Sequence, residues 1–220
     1  MSAPGPVLER RLQRGDGNGA PRGVLVWQFP QPVQALATTI LGGGWGVRSW
    51  AINAEVALDY HHDDPEAHAA EIAANVGLEP GAGMGFLTAA RVLDVMSCSD
   101  GGATCDATVG ISTPTWAAAA DGTWSRWTPG TINLVCWVPA PLSDAALVNA
   151  LATAIEAKAQ ALFEAAVPGT GTASDAVAVC CPNGGREPYG GPRSPWGARL
   201  ARAVHGAVTA GTERFLASRP

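Results

Sequence analysis

The chain has 220 residues and a formal net charge of -5, and 47% of its residues are hydrophobic while only 15% are charged. This composition supports a sizeable buried core in one domain and excludes an intrinsically disordered protein. The acidic balance argues against nucleic acid or an anionic membrane as a partner. No stretch approaches the roughly 18 uninterrupted apolar residues of a membrane-spanning helix.

Residues 1–22 are rich in Gly, Pro and Arg, and we predict a flexible segment there, ahead of a single domain at 23–220. The segment lacks the apolar core of a secretory signal. The five cysteines are odd in number and lack C-x-x-C spacing, which indicates reduced thiols in the cytoplasm. Three of them lie in apolar runs and are predicted to be small core side chains, namely Cys136, Cys180 and Cys181.

In chain order, apolar runs and turn residues predict short strands interspersed with three helices. The predicted strands cover 24–29, 35–40, 85–90, 92–98, 103–111, 131–138 and 175–181. The helices are predicted to begin after the capping residues Asp64 and Ser143 and at the end of the Pro/Gly-rich loop 182–195. This order predicts a single α+β (mixed α/β) domain with a mostly buried sheet packed against long helices, for which an αββα sandwich is one arrangement.

Two segments in the first third of the chain could bind an ion. The glycine run 42–44 could cradle an anion with its backbone N–H groups, but it has no Walker lysine, and a plain tight turn is the alternative. The segment 61–64 reads His-His-Asp-Asp, which suggests a metal site. Because adjacent side chains of an extended segment point to opposite faces, an exposed loop is favoured and no metal site is predicted.

Two further segments lie at the ends of predicted strands. Residues 169–175 combine glycines with hydroxyls and fit either a loop that contacts a ligand or a turn closed by Asp175. Residues 130–133, with the sequence Gly-Thr-Ile-Asn, open a buried strand. They could place a nucleophile and an amide donor at a sheet end, or Thr131 could simply be a β-branched residue that starts the strand.

Together these segments resemble the adenosylcobinamide amidohydrolase (CbiZ) family. The resemblance runs from Gly42 to about Gly211, and its most specific pieces are GTIN at 130–133, the IEAKA helix segment at 155–159 and the GT…DAV pattern at 171–177. The family's usual GTGTD run is GTASD here. The resemblance includes Asn53, which follows the glycine run.

The resemblance implies hydrolysis of the amide between aminopropanol and the corrin ring side chain, which gives adenosylcobyric acid in the salvage of cobamide precursors. A corrinoid is then the small-molecule partner, and its cobalt belongs to the substrate, so no cofactor is expected. Homo-oligomerisation is compatible with this assignment. The alternatives are a non-catalytic corrinoid-binding protein and a self-processing amidase.

A fainter resemblance, to the DmpA-like aminopeptidases, concerns the mechanism, because those enzymes cut their own chain and use the freed amine as a base. By this analogy Thr131 is the nucleophile. The predicted catalytic set is completed by possible oxyanion donors, proton-transfer groups and one helix acid, namely Asn53, Asn133, Ser174, Asp175 and Glu156. The predicted substrate-binding residues are Gly42, Gly43, Gly44, Trp45, Thr88, Gly130, Gly171 and Thr172.

Overall fold

The computed structural model describes residues 9–13, 23–121, 123 and 128–218. In these residues, long helices pack against one mixed sheet, which confirms the predicted α+β class. The strands are β1 (Glu9–Gln13), β2 (Val24–Ala37), β3 (Gly44–Glu55), β4 (Gly83–Thr88), β5 (Met96–Asp100), β6 (Ala103–Val109), β7 (Ile132–Trp137) and β8 (Ala176–Cys181). The helices are α1 (Pro65–Asn75), α2 (Asp144–Glu164) and α3 (Pro195–Ala217), with a 3₁₀ turn at Val92–Asp94.

The sheet has the strand order β4-β3-β2-β8-β7-β6-β5, and β1 pairs with β2 beside this path. The pairs β3–β4 and β7–β8 are parallel, and the other pairs are antiparallel. Strand β2 changes partner along its length, because its first half pairs with β1 and its last four residues pair with β8. A bulge between Gln28 and Val33 separates the two halves.

The sheet folds over on itself at β2. Strands β3 and β6 lie four steps apart in the strand order, a separation of about 19 Å in a flat sheet. Yet Asn53 on β3 donates a hydrogen bond of 2.8 Å to the hydroxyl of Thr108 on β6, and the indole of Trp27 on β2 donates to Asp106 on β6 at 2.7 Å. Strands β1–β4 and β5–β8 therefore form two facing layers.

Two helices cover the outer face of one layer, and one helix covers the outer face of the other. Helices α2 and α3 pack on strands β6–β8 through a core that includes Leu134, Leu147 and Val204. Helix α1 packs on β2 and β3 through Ile72 and Ala73. A third core fills the space between the layers, with members such as Trp27, Phe86, Val135 and Cys180. This layering is the αββα arrangement that the sequence left open.

All three helices begin at a side-chain cap. The Asp64 carboxylate accepts a hydrogen bond from the Ala67 amide at 2.9 Å, and the Ser143 hydroxyl accepts one from Ala146 at 3.2 Å. Ser194 caps α3 in the same way. These contacts satisfy amides that the first helical turn leaves without partners, and they confirm the starts predicted after Asp64 and Ser143.

The strand predictions were less accurate. The runs 24–29 and 35–40 are two parts of one region, since β2 continues through the bulge as far as Ala37. The predicted strand 92–98 was wrong in its first half, where a 3₁₀ turn precedes β5. Strand β3 was not predicted. In the segment 1–22, residues 9–13 form β1 and the rest lies outside the described residues.

In the part of the chain that the structure describes, no helix combines the length and the apolar character needed to cross a membrane. All five cysteines are free, and Cys136, Cys180 and Cys181 are buried as predicted. Burial raises the pKa of the Cys181 thiol to about 11 and also raises the pKa of Cys180. These two thiols stay protonated at neutral pH, in keeping with their role as small core side chains.

Candidate active site

A cavity of about 420 Å³ lies where β2, β3 and β4 end and β7 and β8 begin. It takes its walls from both layers of the folded sheet. Most of its lining is apolar or carries a hydroxyl or an amide, and the described lining residues include Thr38, Thr39, Ile40, Val56, Tyr60, Phe86, Thr88, Gly130, Thr131, Asn133, Ser174 and Ala176.

The Thr131 side chain lines this cavity, directly before the first residue of β7. Only 4% of the residue is exposed. Its hydroxyl lies 3.0 Å from the Asn133 side-chain oxygen and 2.9 Å from the Ser174 carbonyl oxygen. Since a hydroxyl has one proton, these two oxygens are alternative acceptors, and they fix the direction in which the hydroxyl points.

The Asn133 side chain is a link between the two layers. Its amide group donates to the Asn53 side-chain oxygen at 3.0 Å and to the Leu87 carbonyl at 3.2 Å. Asn53 in turn donates to Thr108. Both amide protons of Asn133 are thus engaged within the protein, so this residue acts on Thr131 as an acceptor.

Three other threonines line the cavity, and the hydroxyl of one of them, Thr39, donates to the Leu41 carbonyl. The Thr88 hydroxyl accepts a hydrogen bond from the Ala90 amide at 3.0 Å, and the Thr38 hydroxyl accepts one from the Val177 amide at 2.9 Å. Among the described residues, neither hydroxyl has an acceptor for its own proton. Each can therefore donate to a polar group of a ligand in the cavity.

The Asp175 carboxylate lies beside the cavity and holds the start of β7. One of its oxygens accepts the Ile132 amide at 2.9 Å and the Thr172 hydroxyl at 2.5 Å. The other accepts the Thr172 amide at 3.1 Å and pairs with the ammonium of Lys158 on α2. Both charged side chains are more than 90% buried.

Sequence reasoning missed Lys158, which entered as part of the IEAKA segment of the family resemblance. The signal available was that Lys158 is the only lysine of the chain and lies on the buried face of its helix. Its partner could not be identified from spacing, because Asp175 lies 17 residues further along the chain, on a different element.

The structure therefore brings five of the six predicted catalytic residues together at or beside the cavity, and it places the sixth away from the cavity. Glu156 is exposed on α2 and does not reach the cavity. Glu156 and the buried Lys158 lie on different faces of α2, because residues two apart on a helix point in different directions.

The predicted binding residues divide in the same way. Thr88 and Gly130 line the cavity, and Gly171 and Thr172 lie against the Asp175 carboxylate. The remaining four residues lie at the β2–β3 hairpin, outside the described lining of the cavity: Gly42, Gly43, Gly44 and Trp45. Gly42 and Gly44 have a left-handed backbone, which is compatible with the plain tight turn that was the alternative to a ligand loop.

A ring cluster lies next to the cavity mouth. Tyr60 lines the cavity, its hydroxyl lies 2.9 Å from the His68 ring nitrogen Nδ1, and His62 stacks on His68. Partial burial lowers the pKa of His68, and the neighbouring His62 adds to the effect. In this segment Asp64 caps α1. Among the described residues, no group of three His, Cys, Asp or Glu side chains is arranged to hold a metal ion.

The sequence profile of the family described as adenosylcobinamide amidohydrolase matches residues 9–220. The chain belongs to this family. A protein of Methanosarcina mazei named adenosylcobinamide amidohydrolase is 31% identical over 186 residues, which cover 80% of this chain and 88% of that protein. A Halobacterium salinarum protein of the same name is 45% identical over 96 residues, or 43% of this chain and 41% of that protein.

Family membership confirms the resemblance found in the sequence. It places the chain among the hydrolases that act on the carbon–nitrogen bond of an amide. The matched region contains every residue of the Thr131 cluster and both partners of the buried ion pair.

Proposed function

We propose that the protein hydrolyses the amide that joins aminopropanol to the corrin ring side chain of adenosylcobinamide. The products are adenosylcobyric acid and 1-amino-2-propanol, as in the salvage of a cobamide precursor. Family membership supports the reaction class and the corrinoid substrate. The observation that carries the proposal is the Thr131 hydroxyl, oriented by Asn133 and facing a cavity at the junction of two sheet layers.

The cavity fits only one part of this substrate. Pockets that bury a drug-sized ligand have volumes of about 300 to 1,000 Å³, and this one has about 420 Å³. Adenosylcobinamide carries a macrocycle and a nucleoside besides its amide arm. We infer that the arm enters the cavity and that the macrocycle stays at the mouth, against Ile40, which is 48% exposed, and Tyr60.

The cavity residues match the needs of amide hydrolysis. Thr131 supplies the oxygen that attacks the amide carbon, and Asn133 orients it. The carbon–nitrogen bond then breaks, the hydroxyl proton leaves with 1-amino-2-propanol, and water hydrolyses the ester formed on Thr131. The negative charge that develops on the amide oxygen needs donors close by. The Thr88 hydroxyl is our candidate, because it is buried, lines the cavity and keeps its own proton free to donate, while both protons of Asn133 are engaged.

This mechanism has two versions, one with an intact chain and one with a chain cut before Thr131, and they differ in the base that activates the Thr131 hydroxyl. The two partners of its hydroxyl are an amide oxygen and a peptide carbonyl oxygen, and neither accepts a proton at neutral pH. If the chain cut itself between Gly130 and Thr131, the new α-amine would lie on the same residue as the hydroxyl and could serve as the base. The mass of the purified active protein tests this version, since fragments 1–130 and 131–220 replace the full chain only if cleavage occurs.

The proposed activity is tested by incubating the protein with adenosylcobinamide and measuring released 1-amino-2-propanol. We expect release by the wild type, and a loss of at least about 1,000-fold in Thr131→Ala, because the nucleophile is removed. Thr104→Ala is the matched control, since Thr104 lies on β6 outside the described lining of the cavity. Undiminished turnover by Thr131→Ala would remove Thr131 from the mechanism.

A corrinoid carrier is the outcome that the same assay separates from an enzyme. A carrier would change the absorption spectrum of adenosylcobinamide on binding, without any release of amine.

The cytoplasmic location of the reaction is also our proposal, and it is supported by the five free thiols. Titration of five thiols per chain, after purification without reductant, would agree with it.

A further inference from the structure

The only lysine of the chain is buried in an ion pair next to the candidate active site. The Lys158 side chain is 8% exposed and that of Asp175 is 9% exposed, and their charged groups are in contact. A buried ammonium group without its counter-charge is strongly unfavourable. Among the described residues Asp175 is the one acid paired with Lys158, so the position of Lys158 is bound to that of the carboxylate.

The Asp175 carboxylate in turn holds the backbone next to the nucleophile Thr131. It accepts the amide of Ile132, the residue that directly follows Thr131, and it also accepts the amide and the hydroxyl of Thr172. The loop before β8 and the start of β7 are thereby held by one side chain. The Ser174 carbonyl, which precedes Asp175 and contacts the Thr131 hydroxyl, is fixed by the same arrangement.

The loop before β8 leaves room for the Lys158–Asp175 pair, because residue 171 is a glycine. A Cβ atom on Gly171 would lie 2.2 Å from the Asp175 oxygen and 2.5 Å from the Lys158 nitrogen. Its backbone therefore passes directly against both charged groups, and any side chain there would displace at least one of them. Small size at this position is thus required by the ion pair itself.

We propose that Lys158 is a positioning residue for amide hydrolysis: through Asp175 it fixes the peptide at 131–132, and so the direction of the Thr131 hydroxyl. Lys158 and Asp175 are not among the described residues that line the cavity, so they act on the nucleophile and not on the substrate. The inference rests on the proposed function, and it assigns a role to a residue outside the predicted catalytic and binding sets.

The test compares Lys158→Met, which keeps the length and removes the charge, with Lys158→Arg, which keeps a cation. Gln160→Ala is the matched control, because Gln160 is exposed on the same helix. In folded Lys158→Met protein we expect kcat to fall about 100-fold, since a small misplacement of the reacting group has effects of this size. We expect KM to change less than about twofold, because the cavity walls are unaltered.

Lys158→Arg should recover part of the lost kcat, whereas a role in packing alone would lower the folded fraction and leave kcat per folded molecule unchanged. The inference is overturned if folded Lys158→Met has the kcat of the wild type, or if Lys158→Arg is no more active than Lys158→Met. If Lys158→Met does not fold, the comparison of Lys158→Arg with the wild type decides: an unchanged kcat and KM supports the cation as the required feature, and an unfolded Lys158→Arg refutes it.

Wild-type protein in the same assay separates this inference from the proposed function. If the wild type releases no 1-amino-2-propanol, the proposed function fails. The positioning effect is then read from hydrogen exchange at the Ile132 amide. Exchange there should be at least about tenfold faster in Lys158→Met than in Gln160→Ala, because the amide loses a fixed acceptor. Equal exchange in the two variants would overturn the inference.

Discussion

Two glycine-rich loops of this protein look alike in the sequence and do different things in the structure. The hairpin at 42–44 contains glycines with left-handed backbone, Gly42 at φ +62 and Gly44 at φ +83. In the loop at 169–171, Gly171 has no such conformation, but its missing side chain makes room for the Lys158–Asp175 pair. Glycine thus serves a tight turn in one loop and the close approach of a buried charge in the other.

The difference shows that glycines alone do not identify a ligand loop. What separates the two loops is the set of neighbours that the fold supplies, namely a β-hairpin in one case and the start of β7 with α2 in the other. Four predictions test this distinction.

Gly171→Ala should have the largest effect in this comparison. Its Cβ cannot coexist with the present positions of the Asp175 and Lys158 charged groups, so at least one of these groups must move. We expect a loss of about 3 kcal/mol in the free energy of unfolding, typical of a broken buried ion pair. We also expect about a 100-fold loss of kcat in the folded fraction, measured by denaturant unfolding and the amine-release assay. Wild-type values in both measurements would show that the pair tolerates this movement.

Thr172→Val should have an intermediate effect in the same loop. The valine keeps the shape and the backbone amide contact but removes the hydroxyl bond to the Asp175 carboxylate. A hydrogen bond to a charged group contributes about 1.5 to 3 kcal/mol, and we expect kcat to fall about tenfold because about half of the larger value, or about 1.4 kcal/mol, is lost from the stabilisation of the transition state. Thr172→Ser, which keeps the hydroxyl, is the control and should retain most of the activity.

Ile40→Ser and Trp45→Ser compare two exposed apolar residues near the hairpin. Ile40 is 48% exposed and lines the cavity, while Trp45 is 56% exposed and lies outside its described lining. Loss of an apolar contact with the macrocycle should raise KM about fivefold for Ile40→Ser, since a partly exposed aliphatic side chain contributes about 1 kcal/mol. KM should stay the same for Trp45→Ser. Steady-state kinetics with adenosylcobinamide measures KM for both variants. A KM that rises only in Trp45→Ser would indicate that the macrocycle binds at the hairpin and not at Ile40.

Gly44→Ala should have the smallest effect on activity. There is open space around its Cβ position, so the only penalty is the left-handed backbone, φ +83, which costs about 1 to 2 kcal/mol for a residue with a side chain. We expect a lower melting temperature with unchanged kcat and KM. A loss of activity in protein that remains folded would restore the hairpin as a candidate ligand site.

Local signals in the sequence predicted the helices well and the sheet only in part. Asp64 and Ser143 stand directly before apolar helical patterns, and both cap their helices. The predicted strands 24–29 and 35–40 left the residues between them outside the sheet, but a bulge carries β2 through this region. Strand β3 begins at glycines and contains Arg48 and Ser49, so it has no clean apolar pattern.

In the candidate site too, local motifs predicted some residues, while others depended on the tertiary structure. The resemblance to a family gave Thr131, Asn133 and Asp175, because these residues lie in short motifs. The apolar spacing of α2 indicates that Lys158 lies on the buried face and Glu156 on the exposed face. The partner of Lys158 depends on how α2 packs against β8, and no local pattern identifies it. The roles assigned to these residues stay predictions until the variants are measured.

The sequence by itself determined the acidic, core-forming α+β chain, the starts of its helices and the family to which it belongs, because composition, caps and motifs act over a few residues. Only the tertiary structure decided that the sheet folds over at β2. That fold brings Asn53 within hydrogen-bond distance of Asn133, residues that are 80 positions apart in the chain. Contacts of this range come from packing two layers around one core, which no short stretch of sequence encodes.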